Sequence, residues 1–179
     1  MKAVLISIRP KWCAKITSGD KSIEVRKTRP KLETPFKCYI YCTLPRYPHE
    51  DFIETDYPKP QFYGGGKVIG EFVCDQITEI WKRGIPENFD YCYLSLKEWG
   101  NDDVAIEIND VAASCLPKDQ LNSYGAKVPL LYGWHISNLK IYDKPRELRE
   151  FTGLRQTKFG AEPVPITRPP QSWCYVEDM

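Results

Sequence analysis

Apolar residues in this chain come in short β-prone runs, each cut by proline, glycine or a cluster of polar turn formers. That punctuation limits the fold more than any other feature. Residues 3–8, 37–43, 67–81 and 130–142 read as strands, and 22–27 alternates with period two, Ile23 and Val25 against Glu24 and Arg26. The first run is almost unbroken, the pattern of a strand covered on both faces. Gly70 inside the third marks a bulge or tight bend. Fifteen prolines and eleven glycines leave room for few helices. One opens at Pro10, where the missing N–H does no harm, carries Trp12, Cys13 and Ile16 at helical spacing, and closes at Gly19. A second is expected over 117–124, ended by Gly125, and 86–99 reads as partly helical. Residues 45–66 look like a long loop with Gly64-Gly65-Gly66 as its hinge. Beyond Asp143 the periodicity fades, and Pro163, Pro165, Pro169 and Pro170 forbid ordinary helix or central strand. The stretch Gln171-Ser172-Trp173-Cys174-Tyr175-Val176 is too aromatic for a free tail and is expected to dock on the body. The class is α+β, mainly β: a mixed barrel of about five or six strands with short helices.

Composition narrows the function classes. A chain of 179 residues with 42% hydrophobic and 27% charged residues is neither disordered nor a coiled coil. No apolar run approaches a membrane span, and the N-terminus lacks a signal-peptide pattern, so no membrane partner is expected. Seven cysteines include no CxxC pair, and only His49 and His135 could complete a set with Cys38 and Cys42. The cysteines therefore read as small buried hydrophobes in a reducing cytoplasm, with no metal and no cofactor. His135 reads as structural. Gly64-Gly65-Gly66-Lys67 lacks the spacing of a phosphate loop. The net charge of +1 hides an asymmetry: residues 1–40 carry +7, residues 41–120 carry −8 and residues 121–179 carry +2. A basic N-terminal third on a neutral protein points to one local anion-binding surface.

The stretch Gly19-Asp20-Lys21-Ser22-Ile23-Glu24-Val25-Arg26 places a cation, a carboxylate and a guanidinium just after the first helix. Arg26 brings a planar fork and Lys21 a compact charge. The three either form a plain surface ion-pair cluster or hold a polar ligand.

Gly19, Lys21, Glu24 and Arg26 match the GxKxxExR signature of the ASCH domain, a PUA-like β-barrel family that the chain resembles over most of residues 1–148. Residues 5–18 resemble its first strand and helix, Ile69-Gly70-Glu71-Phe72 a later strand, and His135-Ile136 through Tyr142-Asp143-Lys144-Pro145 its closing strand. Insertions near 46–64 and 82–115 interrupt the likeness. Residues 149–179 are expected to form a proline-rich tail packing back on the barrel, and residues 168–175 resemble tails of phage-like and bacterial relatives. The resemblance implies a cleft lined by the signature residues that binds RNA or a nucleotide. Lys21, Arg26 and Arg9 would hold phosphate or carbonyl oxygens, Glu24 an exocyclic amine, and Trp12 or Trp173 would stack on a base. Arg168, Gln171 and Ser172 are candidates for the cleft rim. One branch of the family is an amidohydrolase acting on acetylated cytidine through a lysine, a threonine and a glutamate. Here the lysine matches Lys21, the threonine slot holds Glu24, and the glutamate maps to Glu71. The alternative function is therefore hydrolysis of an acylated nucleoside, or RNA cleavage, with Lys21, Glu24 and Glu71 as catalytic groups. Replacing Lys21 or Arg26 by alanine is expected to weaken binding with little change in melting temperature.

Overall fold

A strand can be apolar along its whole length only if both faces are covered, and β1 (Lys2–Ile8) is buried from its second residue to its last. The computed structural model describes residues 1–44, 52–53, 62–84, 91–95 and 112–179. α1 (Pro10–Thr17) follows β1, and then come β2 (Ile23–Arg26) and β3 (Phe36–Cys42). Next are the short strands β4 (Phe52–Ile53) and β5 (Phe62–Tyr63), β6 (Lys67–Cys74), β7 (Ile77–Gly84) and β8 (Tyr91–Ser95). The chain continues through α2 (Lys118–Gly125), β9 (Leu130–His135), β10 (Ser137–Arg146), a 3-10 turn at Leu148–Glu150, β11 (Thr152–Thr157), β12 (Gly160–Pro165) and β13 (Trp173–Glu177).

A seven-stranded sheet has the order β10-β6-β3-β1-β13-β11-β12, a four-stranded sheet the order β2-β9-β7-β8, and β4 pairs with β5. β1 runs parallel to β3 and antiparallel to β13. The two main sheets share two continuous strand pairs. β6 passes into β7 across Asp75-Gln76, β10 follows β9 across Ile136, and the His135 amide donates to the Gln76 carbonyl at 3.0 Å at this corner. The small sheet thus folds over the large one and encloses a core of Val4, Ile6, Ile8, Cys13, Ile16, Ile40, Ile69, Phe72 and Trp134. Leu121 of α2 packs with Ile23, Val25, Ile80 and Leu131 on the small sheet. Phe151 and Ile166 cover the far face of the large sheet against Ala3, Leu5, Tyr39 and Val176.

The mainly-β class stands, with thirteen strands among the described residues rather than five or six. Two of the extra strands come from runs read as continuous, whereas β4, β5, β8, β11 and β12 lie in segments read as loop, partly helical or aperiodic, and β13 in the stretch expected to dock. Residues 67–81 and 130–142 each bend at the shared corner and split in two. Gly70 does mark a bulge: the register shifts between Ile40 and Tyr41, which face Gly70 and Val68. Residues 91–95 are strand where helix was expected; the rest of 86–99 lies outside the described residues. β4 and β5 fall within the expected 45–66 loop, most of which also lies outside them. Pro163 and Pro165 sit in β12, an edge strand where a missing N–H leaves no central ladder bond unmade. No helix of the described residues is long and apolar enough to cross a membrane.

Candidate functional site

α1 begins with Pro10 in its first turn and no side-chain cap at Arg9, and it ends at Ser18, whose amide reaches the Ala14 carbonyl. Gly19 takes φ +83°, the left-handed conformation that lets the chain reverse, and the Lys21 amide then returns to the Lys15 carbonyl at 2.9 Å. The reversal carries Lys21 beneath the helix. Its ammonium donates to the carbonyls of Ile23 at 2.7 Å and Ser114 at 2.6 Å, and stands 3.3 Å from Glu24 Oε2. Glu24 Oε1 is 2.9 Å from Arg26 Nη2, which also donates to the Ser7 carbonyl at 2.6 Å. Arg26 Nη1 lies 3.5 Å from Ser172 Oγ, while its buried Nε has no partner among the described residues.

The charged trio therefore converges, and it is not a surface cluster. Lys21 keeps 2%, Glu24 6% and Arg26 8% of their surface exposed. Both faces of β2 are covered: Ile23 and Val25 pack toward α2, while Glu24 and Arg26 turn to the other side. With every ammonium proton and both carboxylate oxygens already engaged, the ion chain is itself a structural unit. Removing one member of such a buried set strands the others, at a typical cost of about 3–5 kcal/mol. This burial overturns the expectation that Lys21 or Arg26 can be replaced with little loss of stability.

The trio forms part of the wall of a pocket of about 660 Å³. Ser7, Ile8, Arg9, Lys11 and Trp12 supply one side, Asp119, Gln120, Ser123 and Tyr124 of α2 another, and Pro169 to Ser172 a third. The last wall is tied down at Ser7, whose hydroxyl donates to the Pro170 carbonyl at 2.6 Å and whose amide donates to the Ser172 carbonyl at 2.9 Å. The Trp12 ring carries two ammonium groups, Lys11 Nζ at 4.4 Å and Lys21 Nζ at 5.3 Å from its centroid. Arg9 and Lys11 are exposed at the rim.

Among the residues expected at a site, Arg9, Trp12, Lys21, Glu24, Arg26, Gln171 and Ser172 all line this pocket, whereas Glu71, Arg168 and Trp173 do not. Glu71 sits in register with Tyr39 of β3 and Lys140 of β10 and accepts the Tyr142 hydroxyl at 2.6 Å. Burial, and then that bond to Glu71, push the Tyr142 phenol well above its ordinary range. Trp173 donates from Nε1 to Thr28 Oγ1 at 3.1 Å and packs on Trp134 and Tyr175. Arg168 is exposed. Sequence reasoning missed the α2 wall. Asp119, Gln120, Ser123 and Tyr124 fall at i, i+1, i+4 and i+5, one face of a helix, but a polar helix face carries no chemical signature until the fold shows what it faces.

The buried cysteines are chemically quiet. Burial raises the Cys13 and Cys38 thiols well above their ordinary value and pushes Cys74 up to about 12. Among the described residues no three His, Cys, Asp or Glu side chains gather as a metal-binding set.

No family model and no curated protein matches the sequence. Solved structures do. The chain is similar to the crystal structure of ASCH from Zymomonas mobilis, with 16% identity, a TM-score of 0.50, and coverage of 98% of this chain and 87% of that one. A tyrosine-to-phenylalanine variant of the Zymomonas mobilis protein gives 15% identity and a TM-score of 0.52 over 99% of this chain and 91% of that one. A serine-to-alanine variant gives 15% and 0.51 over 98% and 88%.

Proposed function

We propose that this chain, which has the fold of ASCH domains, binds a nucleotide, free or as one unit of RNA, in the pocket between α1, α2 and the segment before β13. The observation that carries the reading is the division of labour among its charges. The buried Lys21–Glu24–Arg26 chain pairs its charges with one another and fixes the floor, while Arg9 and Lys11 stand exposed at the rim with no ion pair to a described residue. Around them lie polar groups of unlike kind: the Gln120 and Gln171 amides, the Ser123 hydroxyl and the Asp119 carboxylate. A phosphate suits the rim cations, a base edge suits the amides and the carboxylate, and the Trp12 and Tyr124 rings line the same pocket beside them. A volume of about 660 Å³ lies within the ~300–1,000 Å³ of small-ligand sites and accommodates one nucleotide. In the same reading residues 1–148 form the ASCH unit and residues 149–179 complete its pocket.

Catalysis by Lys21, Glu24 and Glu71 together is less well supported, because Glu71 lies outside this pocket and is already hydrogen-bonded by Tyr142. A hydrolytic reaction would have to run on the groups of the pocket alone. Calorimetric titration with the four nucleoside monophosphates tests the binding reading. Saturable binding of at least one is expected, weakened about tenfold (~1.4 kcal/mol) in the Arg9→Ala, Lys11→Ala double variant with its melting temperature unchanged. Absence of binding at millimolar nucleotide removes the reading.

A further inference from the structure

Much of the positive charge of the N-terminal third lies outside the pocket. The segment that leaves β2 reads Lys27-Thr28-Arg29-Pro30-Lys31-Leu32, and the structure resolves it into two alternating sets. The even positions anchor it. Thr28 accepts the Trp173 indole N–H at 3.1 Å, Pro30 is buried, and Leu32 packs against the main core. The Lys31 amide adds a fourth tie, donating to the Tyr175 hydroxyl at 2.8 Å. The odd positions, Lys27, Arg29 and Lys31, are exposed and make no ion pair with a described residue.

These cations are also interleaved with aromatic rings. Lys27 Nζ lies 4.9 Å from the centroid of Tyr124, and the Arg29 guanidinium lies 5.9 Å from that of Tyr132. Lys2 Nζ stands 6.0 Å from the ring of Tyr175, the residue that holds Lys31. Tyr124 is itself a wall of the pocket, so Lys27 stands beside the pocket, while the rings next to Arg29 and Lys31 belong to β9 and β13. A free mononucleotide in the pocket leaves these cations unused, whereas a polynucleotide has phosphates to lay on them.

We propose that Lys27, Arg29 and Lys31 form a track for the phosphates of a single strand that continues from the nucleotide in the pocket. The ligand class is then a single-stranded polynucleotide, held base-first in the pocket and backbone-first on the track. This rests on the pocket reading for its starting point, but the two make separable predictions. Only the track gives a gain in affinity with strand length, and only the track gives a steep dependence on salt. Three phosphate contacts on a single strand contribute about 2 to the slope of log K against log salt.

The test compares a six-nucleotide RNA of mixed sequence with the four nucleoside monophosphates, by fluorescence anisotropy and calorimetry across a salt series. The proteins are the wild-type chain and the Lys27→Ala, Arg29→Ala, Lys31→Ala triple variant. The hexamer is expected to bind more tightly than any monophosphate. The triple variant should lose most of that gain, flatten the salt slope by about 2, and bind the monophosphates as the wild type does. All three side chains are exposed, and an unchanged melting curve confirms that the variant is folded; a Lys27→Glu, Lys31→Glu double variant should lose more hexamer affinity still. A hexamer that binds no tighter than a monophosphate, or a triple variant that keeps the wild-type slope, overturns the track and leaves the pocket reading standing. Hexamer binding that depends on the track while no monophosphate binds overturns the pocket reading instead.

Discussion

At the scale of single residues, Lys21 shows how one side chain serves structure first and recognition through it. Its ammonium holds the carbonyls of Ile23 and Ser114 and the Glu24 carboxylate, so it pins β2 to the segment that leads into α2. Truncation removes the ammonium from the Ile23 and Ser114 carbonyls and leaves Glu24 with Arg26 as its ion-pair partner among the described residues. Lys21→Ala is therefore expected to lose about 3–5 kcal/mol in urea unfolding. A loss below about 1 kcal/mol, the range of exposed ion pairs, would show that solvent reaches the trio and that its burial does not matter. The same residue explains what was legible beforehand. The types and spacing of Lys21, Glu24 and Arg26 announced a charged constellation, but whether it faced water or the interior depended on β1, α1 and Ser172, which approach from up to 146 positions away in the chain.

At the scale of elements, the two glycines that shape the site and the sheet act for different reasons, and substitution separates them. A Cβ on Gly19 meets nothing within 4 Å, so Gly19→Ala suffers only from φ +83° and should cost about 1–2 kcal/mol. A Cβ on Gly70 falls 2.5 Å from the Lys140 carbonyl oxygen, inside the β6–β10 pair. Gly70→Ala must push backbone aside, and should cost more than Gly19→Ala although the φ of Gly70 lies outside the left-handed region. Equal melting temperatures for the two variants would contradict that order. The strands β1, β2, β3, β6 and β9 were readable from periodicity, and the limits of the helices from Pro10, Gly19 and Gly125. The corners at Asp75-Gln76 and Ile136 were not, because a strand that bends from one sheet into another keeps its β-prone residues on both sides of the bend.

At the scale of the whole molecule, the stretch expected to dock turns out to be an interior strand: β13 lies between β1 and β11. Its end is secured by Asp178, which is paired with Lys37 at 2.8 Å and accepts the Tyr39 hydroxyl at 2.9 Å. The bond to Lys37 is the chief reason its carboxyl is held below the ordinary value. A carboxylate whose folded value is depressed stabilises the fold above its unfolded value, about 3.9, and loses that contribution as pH falls through the lower folded value. Acid is thus expected to loosen the β13 end. Protection of the β1 and β13 amides against hydrogen exchange, referred to the intrinsic rate at each pH, should fall below about pH 4, and Asp178→Asn should make that protection less dependent on pH across the window. Protection that changes with pH equally in both proteins would assign the effect to other carboxylates.

By itself the sequence determined the β-rich class, the first helix and its stop, the bulge at Gly70 and the identity of the charged trio. Each follows from near neighbours: periodicity, backbone restriction at proline and glycine, and charge at fixed spacing. Only the tertiary structure decided that the trio is buried, that α2 and the segment before β13 wall the pocket, that Glu71 lies outside it, and that Lys27, Arg29 and Lys31 are exposed. These depend on which surfaces exclude water from which, and that is set by contacts between segments distant along the chain.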